Sequence, residues 1–110
     1  MVLSEFISKL GAEVLTGEYS TDAKVTNVYC GDLLSWVMSH ASKSSAWITV
    51  HTHLNIVAVA SLTELSCIII PESIEVDEPT IQKAISEKVI IIRSELTTYQ
   101  ICCVAHECGI

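Results

Sequence analysis

Short apolar runs rich in β-branched residues alternate along the chain with longer amphipathic segments, and this alternation predicts a fold of strands and helices in turn. The predicted strands lie at 13–15, 24–30, 46–51, 67–70 and 89–92. Helices are predicted to begin near Ser4, Asp32, Asp77 and either Thr97 or Thr98. Ser4 and Asp32 are residues that commonly cap a helix, so we expect each to cap its own. The acidic first turn and Pro79 mark the helix after Asp77.

Residues 55–65 fit two structures. Ile56, Val57 and Val59 favour a strand, whereas the length of the segment favours a helix. We predict a helix, because another strand follows directly at 67 and two parallel strands need a crossover of about a dozen residues. Asn55 is expected to cap this helix.

The predicted strands are apolar on both faces, which is typical of a parallel sheet covered on both sides. The sequence therefore predicts an α/β fold, with a mostly parallel sheet of four to five strands and helices on both faces. With 110 residues, the chain has the length of one ordinary domain. We expect a single domain over 1–110.

The chain is unusually apolar for its size. Apolar residues make up 50% and charged residues 17%, against about 25% charged residues in an average soluble domain. A second copy of the chain would bury part of the apolar surface that a monomer of this size exposes to water. We therefore expect a two-fold symmetric homodimer. Trp36 and Trp47 are predicted to lie in the core or in the dimer interface.

The formal net charge of −7 repels phosphate backbones and anionic membranes, so nucleic acid and membrane are not expected partners. No signal peptide is apparent, and polar residues such as His51 and Asn55 interrupt the most apolar region. Five cysteines form an odd set and indicate no disulfides, which favours a reducing cytoplasm. Cys30 and Cys67 fall in strands and are predicted to be core residues.

Polar residues follow the predicted strands, where an α/β sheet usually binds its ligands. They lie at 31–32, 52–55, 71–73 and 93–98. If the strands are parallel, Asp32, His53 and Ser94 lie on one rim of the sheet. This expectation depends on 55–65 being helical.

Each of these candidates has a plainer structural interpretation. His51 and His53 share one face of an extended chain and would be two metal ligands, but two are too few, and a hydrogen-bonded turn residue is favoured for His53. Asp32 with Ser35 fits helix capping better than ligand contact. Near Arg93, the only arginine, the hydroxyl groups of Ser94, Thr97 and Thr98 would hold an anion at a helix N-terminus, although plain capping is favoured.

The cysteines near the C-terminus resemble a metal cluster only in the written sequence. Cys102 and His106 share a helical face, but Cys103 points about a quarter turn away. Buried thiols are favoured over a zinc or iron-sulfur site, and we expect no metal and no cofactor. Glycine-rich phosphate loops and the nucleophile elbow of hydrolases are missing from the sequence. The chain is therefore not expected to be an enzyme.

The chain resembles the DRTGG domain family nearly end to end, and three segments carry the resemblance. They are VTNVYCGDLLSWVM, WITVHTHLNIVAVASLTELSCIIIPE and VIIIRSELTTYQIC. The family occurs as a stand-alone protein and as a module of some phosphotransacetylases and CBS-domain pyrophosphatases. Where multidomain relatives carry Gly-Asp-Arg-type and Thr-Gly-Gly-type turns, this chain has His51-Thr52-His53 and Pro71-Glu72-Ser73. The segment THLNIVAVA is similar to the stand-alone group.

The resemblance implies a non-catalytic regulatory domain, acting as a homodimer that senses a small anionic or nucleotide ligand and controls a metabolic or redox enzyme. The alternative is an adaptor that binds its partner without any small ligand. We predict that the ligand site comprises six residues: Asp32, Thr52, His53, Asn55, Ser94 and Thr97.

Overall fold

A computed structural model describes all residues, 1–110. Five helices and five strands follow one another along the chain. In order they are α1 (Leu3–Leu10), β1 (Glu13–Val14), β2 (Asn27–Cys30), α2 (Leu34–His40), β3 (Ser45–Ile48), α3 (Asn55–Leu62), β4 (Cys67–Ile70), α4 (Glu78–Ser86), β5 (Ile91–Arg93) and α5 (Thr98–Glu107). The prediction that 55–65 contains a helix is confirmed, which leaves the adjacent strands parallel.

The strands form one five-stranded sheet in the order β1-β5-β4-β3-β2. β2, β3, β4 and β5 are parallel neighbours, and the short β1 pairs antiparallel with β5 at the other edge. The predicted α/β class, with a mostly parallel sheet, is thus confirmed. None of the five helices is long and apolar enough to cross a membrane.

Alternate residues of each central strand pack into two separate hydrophobic cores, one on each face of the sheet. Ile69 and Ile92 pack on one face of the sheet with residues of α1 and α5. Ile68 and Ile70 pack on the other face with residues of α2, α3 and α4. β3 and β4 are buried along their whole length, because helices cover them on both sides. The predicted placement of helices on both faces is confirmed.

Three of the predicted helix caps are wrong. α1 begins at Leu3, so Ser4 lies inside its first turn, and Val2 occupies the cap position without a side-chain hydrogen bond. α2 begins one residue after Leu33, which makes Leu33 the cap residue and leaves Asp32 outside the helix. α3 starts at Asn55 itself and is not capped by any side chain. Thr97 does cap α5, in a reciprocal capping box with Gln100.

Whether a residue that was predicted to be in the core is buried depends on whether its strand lies inside the sheet or at its edge. Trp47 and Cys67 are fully buried in β3 and β4. Cys30 is exposed, which corrects its assignment to the core. The reason is that β2 is the outermost strand of the parallel set and has no neighbour on its outer side. Trp36, on the helix after β2, is 56% exposed and stacks only on the ring of His40.

Candidate functional site

The carboxyl ends of four parallel strands meet along one rim of the sheet. Cys30 pairs with Ile48, and Ile70 pairs with Arg93, so the residues that follow each strand emerge side by side. Asp32, the segment 52–55 and Ser94 all lie on this rim, as the strand directions require. The order along the rim is the order of the strands in the sheet.

The Asp32 carboxylate holds the end of β3. Its Oδ1 accepts hydrogen bonds from Thr49 Oγ1 at 2.7 Å and from the Val50 backbone N–H at 3.0 Å. The Asp32 carbonyl oxygen contacts His51 Nε2, a short contact that orients the imidazole ring. Asp32 therefore fixes the loops after β2 and β3 to each other, a role that the cap assignment had missed. His51 is accordingly a structural residue of this junction.

The turn between β3 and α3 carries three of the predicted site residues, Thr52, His53 and Asn55. The Thr52 carbonyl accepts a hydrogen bond from Thr80 Oγ1 of α4 at 2.7 Å, which anchors the turn. The His53 side chain is 82% exposed and lies 4.0 Å from Asp77 Oδ2. Asn55 is exposed at the first position of α3, whose N-terminus has no side-chain cap. The turn thus presents an imidazole and a carboxamide beside an uncapped helix N-terminus.

Ser94 and Thr97 lie after β5, and the side chains of both form hydrogen bonds within the chain. Ser94 is 1% exposed, and its Oγ donates to the Leu10 carbonyl at 3.4 Å and accepts from the Leu96 N–H at 3.1 Å. Thr97 Oγ1 accepts from the Gln100 N–H at 3.2 Å. The Thr97 hydroxyl keeps its own proton for a further hydrogen bond, because a hydroxyl group both donates and accepts.

The six predicted residues share the rim, but they do not line a common cavity. β2 and β5 are three strand spacings apart, about 14 Å. Of the six, only Ser94 lines a cavity. The strands β2, β3, β4 and β5 are neighbours in sequence order, and the helices after β2, β3 and β4 all lie on one face. Loops that all turn to the same side leave no crevice between them.

The crevice opens where the helices change sides. α4, after β4, packs on one face, and α5, after β5, packs on the other. The loops after β4 and β5 therefore diverge, which is the arrangement that creates ligand crevices in open α/β sheets. A cleft of about 440 Å³ lies at this point. Its lining is polar throughout and comprises Gly11, Glu13, Ser73, Glu75, Arg93, Ser94 and Glu95.

Glutamates dominate the electrostatics of the cleft. Arg93 is held by Glu13, through Nε at 3.0 Å and Nη2 at 2.6 Å from Oε1. With that guanidinium neutralised, the carboxylates of Glu75 and Glu95 leave the cleft negative. Carboxylates accept hydrogen bonds from sugar hydroxyls and repel phosphates. Because Arg93 is paired with Glu13, the cleft offers no unpaired cation to an anion.

The loop after β4 has an unusual backbone. Glu72 and Ser73 both have positive φ, 56° and 53°, a conformation that glycine adopts freely and other residues adopt at a cost. Their backbone N–H groups donate to the Leu96 and Ser94 carbonyls at 2.9 Å, which ties the loop to the end of β5. In the resembling family the corresponding turn is of the Thr-Gly-Gly type. The glycine conformation is present here without the glycines.

The loops at 71–73 and 93–98, which include Glu95, were predicted to lie on the rim, but Glu13 and Glu75 were not. No residue pattern signals them, because the cleft arises from α4 and α5 lying on opposite faces. No cluster of three or more histidine, cysteine, aspartate or glutamate side chains has the geometry to hold a metal ion. Cys102, Cys103 and Cys108 are free thiols that are partly buried, whereas buried thiols were expected.

These features define a class: an α/β domain with a parallel four-strand core, a short antiparallel edge strand, and a polar rim at the strand ends. The fold is similar to the solved structure of the CBS and DRTGG domains of the regulatory region of Clostridium perfringens pyrophosphatase, which was complexed with its activator, diadenosine tetraphosphate. The TM-score is 0.70 and the sequence identity 14%, over 94% of this chain and 45% of that chain.

The resemblance to the DRTGG domain family is thereby confirmed at the level of the fold, and the chain has a DRTGG-like fold. This chain spans about half the length of that regulatory region. No family model matches the sequence. No curated protein matches it either.

Proposed function

We propose that residues 1–110 form one DRTGG-like regulatory domain that senses a small ligand on the rim of the sheet and does not itself catalyse a reaction. The observation that carries this proposal is the turn between β3 and α3. There His53 and Asn55 are exposed at an uncapped helix N-terminus, and their side chains are free to bind a ligand. The similar Clostridium perfringens structure, described as a regulatory region with an activator bound, supports the regulatory role.

The ligand that fits the rim best is a nucleotide or another small anion of extended shape. Its anionic group is proposed to bind at the N-terminus of α3, where the helix dipole attracts negative charge and the His53 imidazole offers a hydrogen-bond donor. The hydroxyl groups of a sugar match the carboxylates of Glu75 and Glu95, as acidic residues match ribose in other nucleotide sites. Asp32, Thr52, Ser94 and Thr97 complete the proposed rim, with Thr97 able to donate its hydroxyl proton.

A thermal-shift series tests the proposal directly, because a ligand that binds only the folded chain raises the melting temperature. The probes are diadenosine tetraphosphate, ATP, adenosine and inorganic phosphate. We expect the phosphorylated nucleotides to raise the melting temperature and adenosine to be weaker. In a variant with both His53→Ala and Asn55→Ala, the dissociation constant should rise about tenfold or more, since each lost hydrogen bond to a charged group contributes roughly 1.5–3 kcal/mol.

His106→Ala is the matched control, because His106 is an exposed histidine of α5 that is not on the rim. It should leave the nucleotide response unchanged. The proposal fails if none of the probes shifts the melting temperature. It also fails if the double variant responds as the unaltered chain does.

We further propose that the domain is a homodimer. Four large apolar side chains around α2 are between 46% and 65% exposed, namely Leu33, Trp36, Met38 and Val50, and we term this set the α2 surface. Leu33 and Trp36 lie about one helical turn apart, and exposed apolar side chains so placed are typical of an interaction surface. A cytoplasmic setting is proposed from the odd set of five cysteines. Control of a metabolic or redox enzyme is proposed on the family resemblance alone.

The same observation favours the alternative function, an adaptor without a small ligand. In that case the α2 surface would bind a partner enzyme as well as, or instead of, a second copy. The two functions differ in their response to nucleotide, since an adaptor has no ligand to raise its melting temperature. Capture of a partner that is insensitive to substitution of His53 and Asn55 would favour the adaptor.

A further inference from the structure

Two cysteines that are 72 residues apart in sequence meet in the fold. Cys30 is the last residue of β2, and Cys102 lies on α5, which packs against this strand. Their sulfur atoms are 3.3 Å apart. Cys30 is exposed and Cys102 is partly exposed, so small solutes reach the pair. A disulfide bond needs sulfur atoms about 2.05 Å apart, so the two sulfur atoms must approach each other by a little over 1 Å.

The other three cysteines lack such an arrangement. Cys67 is fully buried in β4, and burial raises the pKa of its thiol to about 12. Cys103 forms a hydrogen bond with Tyr99, which raises the pKa of that phenol. Cys108 lies just beyond the end of α5. Cys30 and Cys102 thus differ from the other three cysteines in two respects: their sulfur atoms are in contact with each other, and small solutes reach them.

We propose that Cys30 and Cys102 form a dithiol site that is reversibly oxidised to a disulfide by low-molecular-weight disulfides. In the first step the thiolate of one cysteine of the pair attacks the external disulfide, forming a mixed disulfide and releasing one thiolate. In the second step the sulfur of the other cysteine gives up its proton and attacks the first, and the second external thiol leaves. The protein loses two electrons and two protons, and the external disulfide becomes two thiols.

The surroundings of Cys30 oppose its ionisation. Burial, the hydrogen bond with Cys102, and the charges of Cys102 and Asp32 raise the pKa of Cys30 to about 12. Cys30 therefore remains a thiol at neutral pH, and only the thiolate is a good nucleophile.

The disulfide would join the edge strand to α5 two residues before Asp32. Because it closes a loop of 72 residues, it strongly restricts the unfolded chain. The melting temperature of the oxidised chain should accordingly rise by about 10 °C or more above that of the reduced chain. Neither cysteine is one of the six proposed rim residues, so either proposal can fail alone.

The experiment equilibrates the full chain with oxidised glutathione, labels the free thiols with a maleimide under denaturing conditions, and measures the intact mass. With five cysteines in the sequence, we expect five labels on the reduced chain and three on the oxidised chain. Peptide mapping should link Cys30 to Cys102. In Cys30→Ser the reaction should stop at a glutathione adduct on Cys102.

Cys103→Ser is the matched control, since it changes the neighbouring thiol of α5 and should still form the link and show the higher melting temperature. Five labels after oxidation, a link between any other pair, or loss of two thiols in Cys30→Ser would overturn the proposal. So would an oxidised chain whose melting temperature equals that of Cys30→Ser treated in the same way.

Discussion

Single residues show most clearly where a sequence underdetermines its structure. Asp32 was expected to cap a helix, yet its carboxylate accepts hydrogen bonds from Thr49 and Val50 of the neighbouring strand end. Both roles satisfy the same oxygen atoms with backbone or hydroxyl donors. The residue type predicts a hydrogen-bond acceptor after β2, and only the register of β2 against β3 decides which donors it meets.

The left-handed conformation of Glu72 leads to a prediction about stability. Replacing Glu72 by glycine relieves the steric cost of its φ of 56°, so Glu72→Gly should raise the free energy of unfolding by about 1 kcal/mol. Urea denaturation monitored by tryptophan fluorescence measures the change. Glu75→Gly is the control, because Glu75 has no positive φ, and it should be neutral or destabilising. A less stable Glu72→Gly chain would contradict the account of this turn.

Burial of Cys67 leads to a second prediction, in alkaline solution. Its pKa is raised from 9.0 to about 12 in the folded chain, so the unfolded chain releases this proton first. The contribution to stability is complete below pH 9.0 and is lost as the pH rises towards 12, at about 1.4 kcal/mol per pH unit. With reductant present, denaturation at pH 7.5 and pH 10 should show a smaller loss in Cys67→Ala than in the unaltered chain. Equal losses would contradict this interpretation.

At the scale of elements, the order and type of the helices and strands followed from hydrophobic patterning, but the helix ends did not. For the segment 55–65, the choice between helix and strand depended on connectivity and not on residue type, because two parallel strands need a helical crossover between them. Three predicted caps were wrong because capping side chains are common outside cap positions as well. Only Thr97 had a reciprocal partner three residues later, and that pair forms the capping box.

Capping therefore distinguishes Thr97 from Ser4. Thr97→Ala removes the hydrogen bond with the Gln100 N–H and should lower the free energy of unfolding by about 1 kcal/mol. Ser4→Ala, at a position that looked equally suited to capping, should cause no loss, because Val2 occupies the cap position of α1. Chemical denaturation of both variants checks the contrast. Equal destabilisation of the two would contradict the assigned helix ends.

At the scale of the whole molecule, the sequence predicted a mostly parallel sheet and a polar rim at the strand ends. It did not predict the cleft between the loops after β4 and β5. Apolar residues on both faces of a strand show that helices cover it, but they do not show on which face each helix lies. Glu13 and Glu75 were missed for that reason, whereas Glu95 fell inside a segment that was predicted to lie on the rim.

The exposed α2 surface leads to a prediction about assembly. If it forms a two-fold interface, the chain should elute as a dimer at micromolar concentration, and Trp36→Asp should shift it to monomer, because a charge in an apolar interface is costly. Light scattering coupled to size exclusion measures the mass. Tyr99→Asp, at a side chain that is 78% exposed on α5, is the control and should remain dimeric. A monomeric unaltered chain would contradict the homodimer.

The most direct test of the regulatory account is a backbone amide NMR titration of the full chain with diadenosine tetraphosphate. The account predicts saturable shifts confined to the rim, strongest at 52–55 and extending to Asp32, Ser94 and Thr97. An absence of shifts at millimolar ligand, or shifts confined to the outer surfaces of α1 and α5, would contradict it.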